Sequence, residues 1–203
     1  MSKHKPFWAF SLLLSMLLLA FSLPLLLSWI THSDYHGRWV NEPAPEFQLT
    51  TQQGLSPSLV DFRGQTVFLY FGYLRCDGFC QHQWVTLFHV MQALKDEPVT
   101  AVLISLDPQR DSAEDFSALA SNLGANFVAI SGQKLDEIQA VANSYHQPFS
   151  KIGAWQQNDY KVEHAGDIFM ISSQGNVTLI YSGDKFLPEQ IVADYRRLQQ
   201  VGD

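Results

Sequence analysis

Residues 7–30 form a Leu-rich, predominantly apolar run with no charged side chain. As a helix rising about 1.5 Å per residue, the run would span roughly 36 Å, enough to cross a bilayer core. The pattern turns polar over residues 31–42, where Asp34, Gly37, Arg38 and Asn41 break it up. No apolar periodicity supports a helix there, so the stretch reads as a linker, with His32 and His36 as solvated residues inside it.

Shorter patterns take over from Pro43 onward. Residues 47–50 and 58–62 alternate apolar and polar positions on either side of Gln53-Gly54, which predicts a small amino-terminal hairpin. Residues 66–71 form an aromatic and aliphatic run dense enough for a buried strand, and it stops at Gly72. Trp84, Leu87, Phe88, Met91 and Leu94 then recur at helical spacing, the mark of a core-facing helix. A second buried strand is predicted over residues 99–106, ending at Asp107-Pro108-Gln109-Arg110-Asp111. Asp111 followed by Glu114 predicts the cap of a helix over residues 112–122. A short strand over 126–130 and a helix over 134–145 come next, separated at Gly132. Gln174-Gly175-Asn176 marks a hairpin turn between residues 167–172 and 177–181, and Pro188 suits the first turn of a last helix.

Strands alternating with helices and closed by an antiparallel pair indicate an α/β mixed sheet flanked by helices. A cysteine pair entering the helix after a central strand makes the layout thioredoxin-like. The predicted organisation is a membrane anchor or signal peptide over 1–30, a linker over 31–42 and one thioredoxin-like domain over 43–203.

A secretory signal has a shorter apolar region and a small-residue cleavage site, so the length of this run favours an uncleaved transmembrane helix. Lys3 and Lys5 precede it, and short cytoplasmic flanks carry the excess of basic residues. The expected topology is therefore single-pass in the inner membrane, with the amino terminus inside and the domain in the periplasm or an equivalent oxidising space. A net charge of −7 and a pI near 5.4, with no basic cluster, argue against a nucleic-acid surface.

Cys76 and Cys80 are the chain's two cysteines. Placed at a helix entrance capped by Asp77, they would lie where exposed backbone N–H groups favour thiolates. Helical spacing sets their Cα atoms about 6 Å apart, within disulfide range. A purely structural bridge would close too short a loop to restrain the unfolded chain much. The pair is then a reversible redox couple or part of a metal site, and a third ligand separates the two readings. His164, in Asp159-Tyr160-Lys161-Val162-Glu163-His164, is the best candidate because a central sheet can carry it to the Cys loop. His82 competes, but residues two apart on a helix do not face each other. Neither His89 nor His146 has supporting context.

Phe71-Gly72-Tyr73 before the pair, the Cys-x-x-x-Cys spacing, Ile104-Ser105-Leu106-Asp107-Pro108-Gln109-Arg110-Asp111 and the run ending at His164 together resemble the Sco/SenC (PrrC-like) proteins. The resemblance runs in order from about Pro43 to the carboxyl terminus. It implies copper, as Cu(I) or Cu(II), held by Cys76, Cys80 and His164. It also implies a role in building the dinuclear copper centre of cytochrome c oxidase, with the oxidase's copper-bearing subunit as partner. The enzyme-class alternative is a thiol–disulfide oxidoreductase working through Cys76 and Cys80 on an extracytoplasmic client or redox partner. The family's Cys-Pro-Asp-x-Cys-Pro reads here as Cys76-Asp77-Gly78-Phe79-Cys80-Gln81. Both prolines are absent, and Gly78 widens the conformations open to the loop.

Overall fold

The structure, a computed structural model, describes residues 5–32, 35–76, 78–154 and 159–201. The chain divides into two compact units, residues 1–35 and 36–203. In the first, Lys5–His32 forms helix α1. Its side chains Trp8, Phe10, Met16 and Phe21 are exposed. Among the described residues no helix is long and apolar enough to cross a membrane.

The second unit is built on a six-stranded mixed sheet in the order β1-β8-β7-β2-β3-β4. In chain order its strands are β1 (Arg38–Pro43), β2 (Thr66–Gly72), β3 (Val99–Ser105), β4 (Phe127–Ile130), β7 (Ile168–Ile171) and β8 (Asn176–Tyr181). Helices α2 (Phe79–Ala93), α3 (Ala113–Leu123), α4 (Leu135–Ser144) and α5 (Pro188–Val201) flank it. Every residue of β2 and of β3 is buried, and the two pair in parallel. Strands covered on both faces need an unbroken apolar run, which is the pattern both segments carry. On the other side, β7 pairs antiparallel with β2, setting Ile168 opposite Tyr70. The start of β7 therefore lies beside the end of β2. That single register brings the approach to β7 next to the loop that leaves β2.

Several expectations are revised. Residues 38–43, read as linker, form β1, which pairs antiparallel with β8. This edge strand is mostly exposed, so it carries no alternating pattern to betray it. Within the same stretch His36 is not simply solvated. Its backbone N–H and Nδ1 lie 3.1 and 3.0 Å from carboxylate oxygens of Asp194, which also accepts from Gly37 N–H and the Tyr181 hydroxyl.

The amino-terminal hairpin is reduced to one antiparallel bridge between Gln48 and Ser58. Its second arm, Leu59–Phe62, is a 3-10 turn, because Asp61 accepts from both the N–H and the hydroxyl of Ser58 and curls the backbone. A strand pair absent from the sequence reading, β5 (Phe149–Ala154) with β6 (Asp159–His164), forms a separate two-stranded sheet. The cap of α3 is Ser112, whose hydroxyl accepts from Asp115 N–H at 3.0 Å. That leaves Asp111 for another task.

Candidate functional site

The loop after β2 is fixed from three directions. Leu106 N–H donates to the Gly72 carbonyl at 2.8 Å, and Cys76 N–H donates to the Tyr73 carbonyl at 3.2 Å. Asp111, wholly buried, accepts the Leu74 N–H at 3.2 Å on each carboxylate oxygen and the Ser105 hydroxyl at 2.6 Å. Burial raises the Asp111 pKa from 3.8 to about 6, against the pull of those hydrogen bonds. Helix α2 then begins at Phe79 with Gly78 as its N-cap at φ 68°. Glycine enters that left-handed region without a Cβ clash, so Gly78 serves a turn. Asp77, expected as the cap, lies outside the described residues.

Cys80, the second residue of α2, is 0% exposed and Cys76 is 9% exposed. The two are joined in a disulfide with Cα atoms 5.8 Å apart. His164, the last residue of β6, places Nε2 2.9 Å from Cys80 Sγ. One donor atom from each of Cys76, Cys80 and His164 lies within 4.8 Å of the others. The imidazole is held edge-on by the rings of Tyr70 and Tyr73, at centroid distances of 6.3 and 6.1 Å. Burial lowers its pKa from 6.5 to about 4, so it is neutral near pH 7, the form a metal ligand needs. The competing histidines do not join: His82, His89 and His146 are all exposed, and none belongs to the Cys76, Cys80, His164 group.

Sequence reasoning missed how His164 is carried there. It lies on the approach to the central strand β7, as expected, but it also ends a two-stranded hairpin that has no third strand beside it among the described residues. Side chains of the Asp107–Asp111 segment reach over to β6. Arg110, paired with Asp107, donates to the Tyr160 carbonyl at 2.8 Å and lies 3.7 Å from the centroid of the Tyr160 ring. The Tyr160 hydroxyl donates to Asp107 at 2.7 Å, and Lys151 of β5 sits 3.5 Å from the same carboxylate oxygen. Asp107 is 0% and Arg110 4% exposed on their side chains, so these are charges that burial requires to be paired. The motif was visible in the sequence, but its spatial partner was not.

Beside the disulfide opens a cleft of about 470 Å³ lined by Cys76, Cys80, Lys161, Glu163 and His164 among others. Two sulfurs and one imidazole nitrogen form a soft donor set that suits copper, and one known also from open zinc sites. As a disulfide the sulfurs are not ligands, because only thiolates bind. Two-electron reduction would convert both sulfurs into groups able to bind a metal.

The family model described as SCO1/SenC matches residues 36–200. The chain belongs to the SCO1/SenC family. Among SCO1/SenC relatives, the mitochondrial SCO2 homolog of Bos taurus is 30% identical over 156 residues, covering 75% of this chain and 58% of that protein. The chain therefore spans little more than half the length of that relative. The apo Sco1 protein of Thermus thermophilus superposes with a TM-score of 0.71 at 27% identity, over 81% of this chain and 96% of that one. Bradyrhizobium japonicum ScoI with copper bound gives 0.65 at 26% identity, over 76% and 98%.

The two prolines of the Sco pattern are absent from this loop, yet the donor atoms converge. The loop here is tied by Asp111 at Leu74 and by the helix start at Gly78. Both ties are independent of the missing prolines.

Proposed function

We propose that this SCO1/SenC chain is a membrane-tethered copper carrier that assists delivery of copper to the copper-bearing subunit of cytochrome c oxidase. The observation that carries the reading is the meeting of Cys76, Cys80 and His164 donor atoms within 4.8 Å. Copper is cargo, held by the two thiolates of the reduced pair with the neutral His164 imidazole as third ligand. Burial of Cys80 keeps competing water away from one sulfur, while the open cleft at Cys76 leaves a face from which a receiving protein's ligands can take the ion. Family membership and the copper-bound B. japonicum relative support copper as the ion.

Titrating the reduced full-length protein in detergent with Cu(I) and Cu(II) tests the proposal. One equivalent should bind to the wild type, with binding lost in Cys76→Ser and Cys80→Ser and Cu(II) binding weakened in His164→Ala. Cu(II) binding unchanged by His164→Ala removes that residue from the site.

A second reading is favoured by the disulfide itself. A client thiolate would attack Cys76 Sγ, forming a mixed disulfide and expelling the Cys80 thiolate. A second client thiol would then displace Cys76, leaving the client oxidised and this chain reduced. In reverse, the reduced pair would open a client disulfide.

The anchor belongs to the same proposal. Residues 5–32 are helical, with Trp8, Phe10, Met16 and Phe21 among the exposed apolar side chains, and Lys3 and Lys5 precede the apolar run. That favours a single pass in the inner membrane with the amino terminus inside and the domain in the periplasm. Protease added outside the inner membrane should degrade the domain. Protection of the domain there would reverse the topology.

A further inference from the structure

The segment Asp107–Asp111 supplies no donor atom to the site, yet it and the Cys loop both reach the strand that carries His164. Strand β6 pairs with β5 on one edge and, among the described residues, with no strand on the other. A lone two-stranded ribbon is marginal in water. Along β6, two side chains stand in for a third strand. The Tyr73 hydroxyl accepts the Val162 N–H at 3.2 Å, and Arg110 donates to the Tyr160 carbonyl at 2.8 Å. These backbone groups are two residues apart, as groups on one edge of a strand are.

Tyr73 does more than hold the backbone. Its ring also meets the His164 ring edge-on, at 6.1 Å between centroids, and the Arg110 guanidinium lies 5.9 Å from the centroid of the Tyr73 ring. Arg110 is itself tethered by Asp107. His164 follows Val162 by two positions and ends the strand. The backbone from Tyr160 to Val162 is therefore fixed from the Cys-loop side just before the ligand leaves it.

We propose that Tyr73 and Arg110 are positioning residues that clamp β6 at Val162 and Tyr160 and so make the His164 imidazole available to the two sulfurs. The proposal rests on the reading of Cys76, Cys80 and His164 as a copper site. Two thiolates satisfy Cu(I), whereas Cu(II) gains from an imidazole. A clamp acting through His164 alone therefore sets the preference between the two oxidation states.

The test uses the full-length protein in detergent micelles, with Tyr73→Phe, Arg110→Lys and each combined with His164→Ala. Tyr73→Phe keeps the ring and removes only the acceptor. Arg110→Lys keeps the charge beside Asp107 and loses the planar fork. In the metal-free oxidised protein, the nuclear Overhauser contact between the His164 ring and the Cys80 β-protons should weaken in both single variants. In the reduced protein, Cu(II) affinity should fall roughly three- to tenfold, the factor one hydrogen bond of ordinary net worth carries, with Cu(I) affinity moving less than about twofold. In the His164→Ala background neither substitution should lower Cu(II) affinity further.

Equal losses for Cu(I) and Cu(II), or a loss that persists without His164, would overturn the clamp. If the wild type binds no copper the carrier reading fails on its own, and the metal-free contact still decides the clamp: kept in both variants, it refutes the proposal, and lost, it upholds it.

Discussion

The sulfur of Cys80 lies 2.9 Å from Nε2 of His164, across 84 positions of sequence. A disulfide sulfur carries no hydrogen, so a hydrogen bond at that contact requires the proton on Nε2. The Nδ1 atom of the same ring is buried with no hydrogen-bond partner among the described residues. Reduction changes the partnership: a Cys80 thiol can donate to Nε2, and the ring proton then belongs on Nδ1. The tautomer that frees Nε2 for a metal is thus coupled to the redox state of the pair.

Proton competition for bound copper should come from the thiols before the imidazole. With the pair oxidised, burial lowers the His164 pKa to about 4. The same burial disfavours the charged ring in the reduced protein, whereas an ordinary thiol titrates near pH 8.5. The slope of log affinity against pH, measured by copper titration, should therefore reach at most two protons per copper between pH 7 and pH 5. A third proton should enter only near pH 4. A three-proton slope already at pH 6 would show that the imidazole is not held neutral.

Folding stability should carry two opposing acid terms. The folded His164 pKa lies below its ordinary 6.5, so between about 6.5 and 4 the unfolded chain binds a proton that the folded chain does not. Stability falls as pH drops through that window. The folded Asp111 pKa is raised from 3.8 to about 6, so there the folded chain binds the extra proton and stability rises as pH drops. In His164→Ala only the second term remains. Urea midpoints at pH 5 relative to pH 7 should be higher in the variant than in the wild type, and an identical ratio would remove the His164 term.

Asp111 should matter more to stability than Ser112, although the two are adjacent. Asp111→Ala leaves the Leu74 N–H and the Ser105 hydroxyl without the buried acceptor they share, at a cost of about 1–3 kcal/mol for each orphaned group. Ser112→Ala removes a helix cap worth about 1 kcal/mol. Urea unfolding distinguishes them, and equal losses would mean that Asp111 does no more than a cap.

Disulfide exchange should begin at Cys76. It is 9% exposed where Cys80 is 0% exposed, and attack follows access. With glutathione disulfide as oxidant, Cys80→Ser should accumulate a mixed disulfide at Cys76 several times faster than Cys76→Ser does at Cys80, read by mass spectrometry. Faster capture at Cys80 would reverse the order of attack.

Much of the fold was legible in the pattern of residues. Strands β2 and β3 announced themselves because burial on both faces demands continuous apolar runs. The Gln174-Gly175-Asn176 turn did so because β7 and β8 are adjacent in the chain. What escaped were β1, β5 and β6, the last despite its alternation of exposed Asp159, Lys161 and Glu163 with buried Tyr160 and Val162. β1 pairs at an exposed sheet edge, and β5 carries Gly153 and an exposed Ile152 where alternation would show. The 3-10 turn at Leu59–Phe62 was misread because Leu59, Val60, Asp61 and Phe62 mimic alternation over too few residues to tell periods apart.

The sequence by itself determined the two central strands, the helices that follow them, the closing strand pair and the cysteine pair at a helix entrance. It also carried the apolar amino-terminal helix and, through resemblance, the pairing of those cysteines with His164. Only the tertiary structure decided that His164 arrives on a hairpin held by Tyr73 and Arg110, and that Asp111 grips the Cys loop instead of capping a helix. The reason is physical. Burial repeats along the chain and leaves a period to read, whereas a hydrogen bond from one side chain to a backbone group dozens of residues away leaves none.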